Sequence, residues 1–287
     1  MKLLGTMTFL AAAATARPGA APVATLHAQV PGGTLAYDDT QGAGPVVICV
    51  PGMGERRGSY RLLAPLLAEA GHRVITLDVR GHGESSVGWT GYAPFDVGAD
   101  ILAFMDSLGI RTAHLVGNSF AAGSVYWVAV TAPGRVSSLT FLDPSVTEGK
   151  PNALLNLFVR AAFARPWGVG FWLKYWDGLF PVSKPDDFTA YRAALGSNLR
   201  EPGRLEALSA MVLTSHAPVE AILGRARVPV LIVMGTRDKD FPDPAAEAAT
   251  VGQKTGATIR LLETGHYPHV ERPRDVADIV LPFLGTH

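Results

Sequence analysis

The stretch Ala113-His114-Leu115-Val116-Gly117-Asn118-Ser119-Phe120-Ala121-Ala122-Gly123-Ser124 decides how the rest of the chain is read. A short apolar run breaks on Gly117, shows one serine, and enters a helix through small residues. That is the pattern of a nucleophile elbow. The strand-to-helix turn is so tight that the serine sits in a strained conformation, with its hydroxyl held out from the sheet. The residues two before and two after the serine must be tiny, because strand and helix nearly touch there. Gly117 and Ala121 meet that need, although Ala121 stands where a second glycine is usual. A serine at a helix start is also an ordinary N-cap, so the pentapeptide alone leaves both readings open.

Working outward, strand and helix patterns alternate. Residues 24–30 and 34–37, joined by Pro31-Gly32-Gly33, predict a hairpin. Residues 46–50 form a fully apolar run of the kind found in a buried parallel strand, and Pro51-Gly52-Met53-Gly54 breaks it. Leu62, Leu63, Leu66 and Leu67 mark one face of a helix over residues 60–70, ended by Gly71. A strand over 74–77 and a helix over 96–108 precede the elbow. After it come a helix to about Thr131 and a strand over 137–142, ending at Asp143-Pro144.

Alternation then stops. Residues 145–227 show no convincing β run, are rich in aromatics such as Phe163, Trp172 and Trp176, and are broken by Pro166, Pro181, Pro185 and Pro202. Short helices are the simplest reading. A strand over 228–234, a helix over 244–255, a strand over 258–262 and a helix over 274–284 complete the chain. The pattern predicts an α/β fold with a mostly parallel central sheet. Residues 24–144 and 228–287 build its core. Residues 145–227 form a helical cap over the C-terminal edge of the sheet, where ligands bind in such folds.

The 287 residues, 48% hydrophobic and 17% charged, allow one large domain with a substantial core. The formal net charge of 0 offers nothing to a nucleic acid or an anionic membrane surface. Cys49, the single cysteine, permits no internal disulfide and no cysteine-based metal site, and reads as a small buried hydrophobe. Residues 1–23 form a leader. Within it, Lys2, a short apolar run and Ala14-Thr15-Ala16 have the parts of a signal peptide, too short to span a bilayer. One lysine and an alanine-rich run favour a cytoplasmic protein. A cleaved 1–16 would make it secreted or periplasmic.

A serine nucleophile needs a base within hydrogen-bond reach, itself oriented by a carboxylate. In chain order after an elbow, the acid follows a later strand and the histidine comes last. Asp238, just past strand 228–234, and His266, after strand 258–262, fit that order. His269, Asp240, Asp243 and Asp143 are the rivals. His269 follows Pro268 and precedes the closing helix, Asp240 and Asp243 suit a turn and a helix cap, and Asp143 ends a strand of its own. The oxyanion needs two donors, for which the N–H groups of Phe120 and Met53 are placed.

These pieces together resemble the α/β-hydrolase superfamily over about residues 46–283. The matching segments are Pro51-Gly52-Met53-Gly54, Asp78-Val79-Arg80-Gly81-His82-Gly83-Glu84-Ser85, Gly117-Asn118-Ser119-Phe120-Ala121, Gly235-Thr236-Arg237-Asp238, and Gly265-His266-Tyr267-Pro268-His269-Val270-Glu271-Arg272-Pro273. Pro51 stands where the family often has histidine, and Ala121 replaces a glycine. His82 lies in a motif that is usually structural there. The resemblance implies helices on both faces of the sheet and a serine hydrolase of carboxylic esters or related acyl compounds. Ser119, His266 and Asp238 would be its triad, Met53 and Phe120 its oxyanion hole, with no metal or organic cofactor. The expected partner is a small, apolar substrate, with no nucleic acid and no integral membrane segment. The alternatives are a cofactor-free perhydrolase or haloperoxidase-like enzyme, a carbon–carbon bond hydrolase, or a ligand-binding protein that retains the triad. Ser119 argues against epoxide- and halide-processing relatives, which use aspartate at the elbow.

Overall fold

The apolar runs become the strands of one sheet in a computed structural model, which describes residues 25–148 and 153–287. The leader read over residues 1–23 lies outside the described residues. The strands are β1 (Leu26–Val30), β2 (Gly33–Asp39), β3 (Val46–Val50), β4 (Arg73–Leu77), β5 (Ala113–Asn118), β6 (Val136–Leu142), β7 (Val230–Gly235) and β8 (Thr258–Leu262). Their spatial order is β1-β2-β4-β3-β5-β6-β7-β8. The first two strands run antiparallel to their neighbours, and all pairs from β4 to β8 are parallel. The sheet is therefore the mostly parallel one expected. β3 and β5 lie side by side, with Val50 in register with Gly117. That pairing brings the loop after β3 against the elbow.

Strand periodicity sorts the core into two halves. Ile48 and Val50 pack on one face with α2 (Pro94–Ser107), α3 (Phe120–Thr131) and α9 (Pro244–Thr255). Val47 and Cys49 pack on the other with α1 (Ala64–Glu69) and α11 (Pro273–Leu284). Helices thus cover both faces, and Cys49 is fully buried.

The helix read over 60–70 is shorter than its leucine spacing suggests. α1 begins at Ala64, with Pro65 in its first turn, and a 3₁₀ turn, Arg57–Tyr60, precedes it. Pro65 has no N–H to give to a preceding turn, so a helix through it must start nearby. Leu63 and Leu67 reach the core, whereas Leu62 packs with the aromatic cluster above the sheet.

Between β6 and β7 lie α4 (Ala153–Ala162), α5 (Gly168–Asp177), α6 (Phe188–Arg200), α7 (Arg204–Val212) and the short α8 (Ala217–Glu220). A separate aromatic cluster holds them to the sheet edge. Trp176 lies 5.0 Å from Phe188 and 4.6 Å from Phe180, and Phe180 stacks on Tyr267 at 4.8 Å. A short α10 (Pro268–Glu271) precedes α11. Among the described residues, no helix is long and apolar enough to cross a membrane.

Candidate active site

Ser119 sits between β5 and α3 with φ 54° and ψ −123°. A side chain held at positive φ costs about 1–3 kcal/mol and persists only where the surroundings over-determine it. Here the surroundings are small residues. A Cβ added at Gly117 would lie 2.7 Å from the Ala121 carbonyl oxygen, and one at Gly52 would lie 3.1 Å from the Ser119 Cβ. The first contact is the strand–helix approach that demanded a tiny residue. The second shows that the loop after β3 closes directly on the serine.

His266 presents Nδ1 to Oδ2 of Asp238 at 2.7 Å. Oδ1 of Asp238 accepts the N–H of Asp240 at 2.9 Å, which fixes the carboxylate plane. Oδ2 of Asp240 stands 3.6 Å from the same ring nitrogen. Burial pushes the imidazole down, but Asp238, by charge and hydrogen bond, and the charge of Asp240 outweigh it and hold His266 above its ordinary value. Ser119 and His266 line one cavity of about 410 Å³, roofed by cap side chains such as Phe163, Trp172, Leu179 and Val212. With Nδ1 held by Asp238, the ring's other nitrogen is left for proton exchange with a hydroxyl in that cavity.

Met53 also lines the cavity. The next N–H, that of Gly54, is taken by Nε2 of His82 at 3.1 Å. Nδ1 of His82 lies 3.0 Å from the Arg80 carbonyl, so the ring is protonated at Nδ1 and accepts at Nε2. Burial keeps it neutral by pushing its pKa down to about 4. His82 thereby anchors the loop at Gly54 while the Met53 N–H has no partner among the described residues. Phe120 opens α3, where a helix leaves its first N–H groups unpaired.

Of the rivals, His269 and Asp243 fall elsewhere, whereas Asp240 and Asp143 lie beside the His266–Asp238 pair. His269 is fully buried, stacks on Tyr60 at 4.6 Å, and has neither ring nitrogen bonded among the described residues. Burial pushes its pKa down to about 3. Asp243 caps α9 by accepting the Ala246 N–H at 3.0 Å. Tyr175 donates to Asp240, and both line the cavity.

Several supports were not legible as site residues. Nδ2 of Asn118 donates to the carbonyls of Leu142 at 2.9 Å and His266 at 3.1 Å. Glu271 accepts the N–H groups of Gly265 at 2.6 Å, Ser183 at 2.7 Å and Val182 at 3.0 Å, which ties the histidine loop to the cap. Buried Glu55, in the loop after β3, accepts from Trp176 Nε1 at 2.5 Å and Tyr191 OH at 2.6 Å. Only the adjacency of these residues to the motifs hinted at such work.

Among the described residues, one cluster has the ligand types of a metal site, formed by Asp143, Asp238 and His266. Its Nδ1 is engaged by Asp238, so the cluster has the form of an acid–base chain.

Comparison with known proteins agrees with this fold. The dihydrolipoyllysine-residue acetyltransferase component of the acetoin cleaving system of Cupriavidus necator is 29% identical over 279 residues, covering 92% of this chain and 70% of the relative. A hydrolase from Pseudomonas aeruginosa superposes with a TM-score of 0.77 at 27% identity, covering 93% of this chain and 100% of that one. A thermophilic esterase from Thermogutta terrifontis superposes at 0.79 with 22% identity, covering 92% and 98%. Residues 45–273 match the model of the alpha/beta hydrolase fold, and the chain belongs to that family.

Proposed function

We propose that this α/β-fold hydrolase cleaves carboxylic esters or related acyl compounds through an acyl-enzyme on Ser119. Oγ of Ser119 attacks the carbonyl carbon while Nε2 of His266 takes its proton. Asp238 holds the ring through Nδ1–H and stabilises the imidazolium as it forms. The N–H groups of Met53 and Phe120 receive the developing oxyanion. Collapse of the tetrahedral species breaks the ester bond, and His266 returns the proton to the leaving alkoxide. Water then attacks the acyl-enzyme with His266 again as base, and the carboxylic acid departs.

The observation that carries this reading is the 2.7 Å contact from His266 to Asp238 in the wall of the cavity that Ser119 lines. The apolar roof supports an apolar acyl or alcohol group of small to medium size, which agrees with the cavity volume of about 410 Å³. A panel of p-nitrophenyl esters of graded acyl length tests it. Turnover should peak at short to medium chains and vanish in Ser119→Ala. No turnover above the Ser119→Ala control on any ester would sink the reading.

A further inference from the structure

Asp143 ends β6, between the strand that carries Ser119 and the strand before Asp238. The steps above do not use it. It is fully buried, and its backbone is held at φ 48°. Its N–H donates to the Val233 carbonyl at 2.9 Å, and its Oδ1 accepts the Gly235 N–H at 2.8 Å. Its Oδ2 is buried with no donor among the described residues. One oxygen each from Asp143 and Asp238, and a ring nitrogen of His266, lie within 4.8 Å of one another.

That arrangement is a charge problem. Two carboxylates share a buried site, and among the described residues no lysine or arginine pairs with either. Like charges so placed do not both ionise, and one keeps a proton. Asp238 is the better home for the charge, because it accepts from His266 Nδ1 and from the Asp240 N–H. Asp143 has a single backbone donor, on the other oxygen.

We propose that Asp143 is a positioning residue, a neutral carboxylic acid whose Oδ2–H donates to Asp238, so that the pair presents one negative charge to His266. This rests on the triad reading of Ser119, Asp238 and His266. The proton satisfies the orphaned Oδ2 and gives Asp238 a third donor, which locks its rotamer. Burial and the charge of Asp238 both raise the Asp143 carboxyl, while His266 and the Gly235 N–H pull the other way without prevailing. For Asp238, burial acts upward but His266 outweighs it and holds the group below its usual range. The titratable groups facing Asp143 are Asp238 and His266, with Asp240 beside the same ring nitrogen.

Infrared difference spectroscopy on the full chain, with kinetics alongside, tests this. At neutral pH the wild type should show the C=O band of a protonated carboxyl that is lost in Asp143→Asn. A band from buried Glu55, which burial also raises, cancels in the difference. Asparagine tolerates positive φ and keeps a donor. Asp143→Gly tolerates the backbone but removes the donor, and should lower kcat about 30-fold with KM little changed. Asp143→Asn should recover most of that loss and leave the acid limb of kcat/KM in place.

A difference spectrum with no protonated carboxyl band overturns the proposal. So does an acid limb that falls by about one pH unit in Asp143→Asn, because it means that an ionised group was removed. A fluorophosphonate probe run on each variant separates the two readings. A wild type that labels at Ser119 but lacks the band refutes the role of Asp143 alone. A wild type that does not label refutes the triad.

Discussion

The side-chain amide of Asn118 donates to the carbonyl of His266 at 3.1 Å, joining the turn that carries Ser119 to the loop that carries His266. The same nitrogen donates to Leu142 at 2.9 Å, so one amide ties the ends of β5 and β6 to the loop after β8. Asn118→Ala strands the buried His266 carbonyl, at a cost of about 1–3 kcal/mol, while the Leu142 carbonyl keeps the Ser119 N–H at 2.9 Å. Thermal melts should show a clear loss of stability, and kcat should fall with KM little changed. An unchanged melting temperature and kcat would show that the amide ties nothing down.

Asp238→Asn should reduce kcat by about 10³–10⁴, because an asparagine facing Nδ1 permits the wrong tautomer. The base works only when neutral, so kcat/KM rises with pH through the His266 transition. In the wild type the facing carboxylates place that transition above the ordinary histidine value of about 6.5. Residual activity in Asp238→Asn should therefore titrate at lower pH. A pH–rate profile with the limb unmoved contradicts the assignment of Asp238.

Gly52→Ala tests the oxyanion loop without touching a reacting group. The added Cβ would meet the Ser119 Cβ at 3.1 Å, Asn118 Oδ1 at 3.2 Å and the Asn118 carbonyl at 3.3 Å. The loop must retreat by a few tenths of an ångström, which misplaces the Met53 N–H. Loss of one oxyanion donor is worth about 10²–10³ in kcat. Steady-state kinetics should show a fall toward that range with substrate binding largely kept. Wild-type kcat in a folded Gly52→Ala would remove Met53 from the site.

His269 gives a stability test. Burial pushes its folded pKa down to about 3, against about 6.5 in the unfolded chain. Between those values the unfolded state binds the extra proton, so the histidine's contribution is intact above about 6.5 and is lost as pH falls toward about 3. His269→Phe removes the titration and keeps a ring to stack on Tyr60. The melting-temperature difference, variant minus wild type, should grow as pH falls from about 6.5 to 4. A pH-independent difference means that His269 is not buried neutral.

The sheet was legible because its signals are local. Residues 46–50 and 230–235 are apolar throughout, and a strand buried on both faces needs nothing else. Ser119, Asp238 and His266 were readable as candidates because each follows a strand end, and chain order alone suggests that they meet. Leu62 misled the reading of the helix over 60–70, since its partners are cap residues far along the chain. The roles of Asn118, His82 and Glu271 depend on contacts with carbonyls and N–H groups from other elements. Side-chain type predicts no such partner. Asp143 showed as a strand-end carboxylate, but only the register of β6 against β7 brings it beside Asp238.

The central claim is that Ser119 is a nucleophile activated by His266. A fluorophosphonate probe followed by intact mass and peptide mapping tests it most directly. The account predicts one covalent adduct, on Ser119, absent in Ser119→Ala and strongly slowed when His266 is replaced by alanine. An unlabelled wild type, or an adduct on another residue, would contradict it.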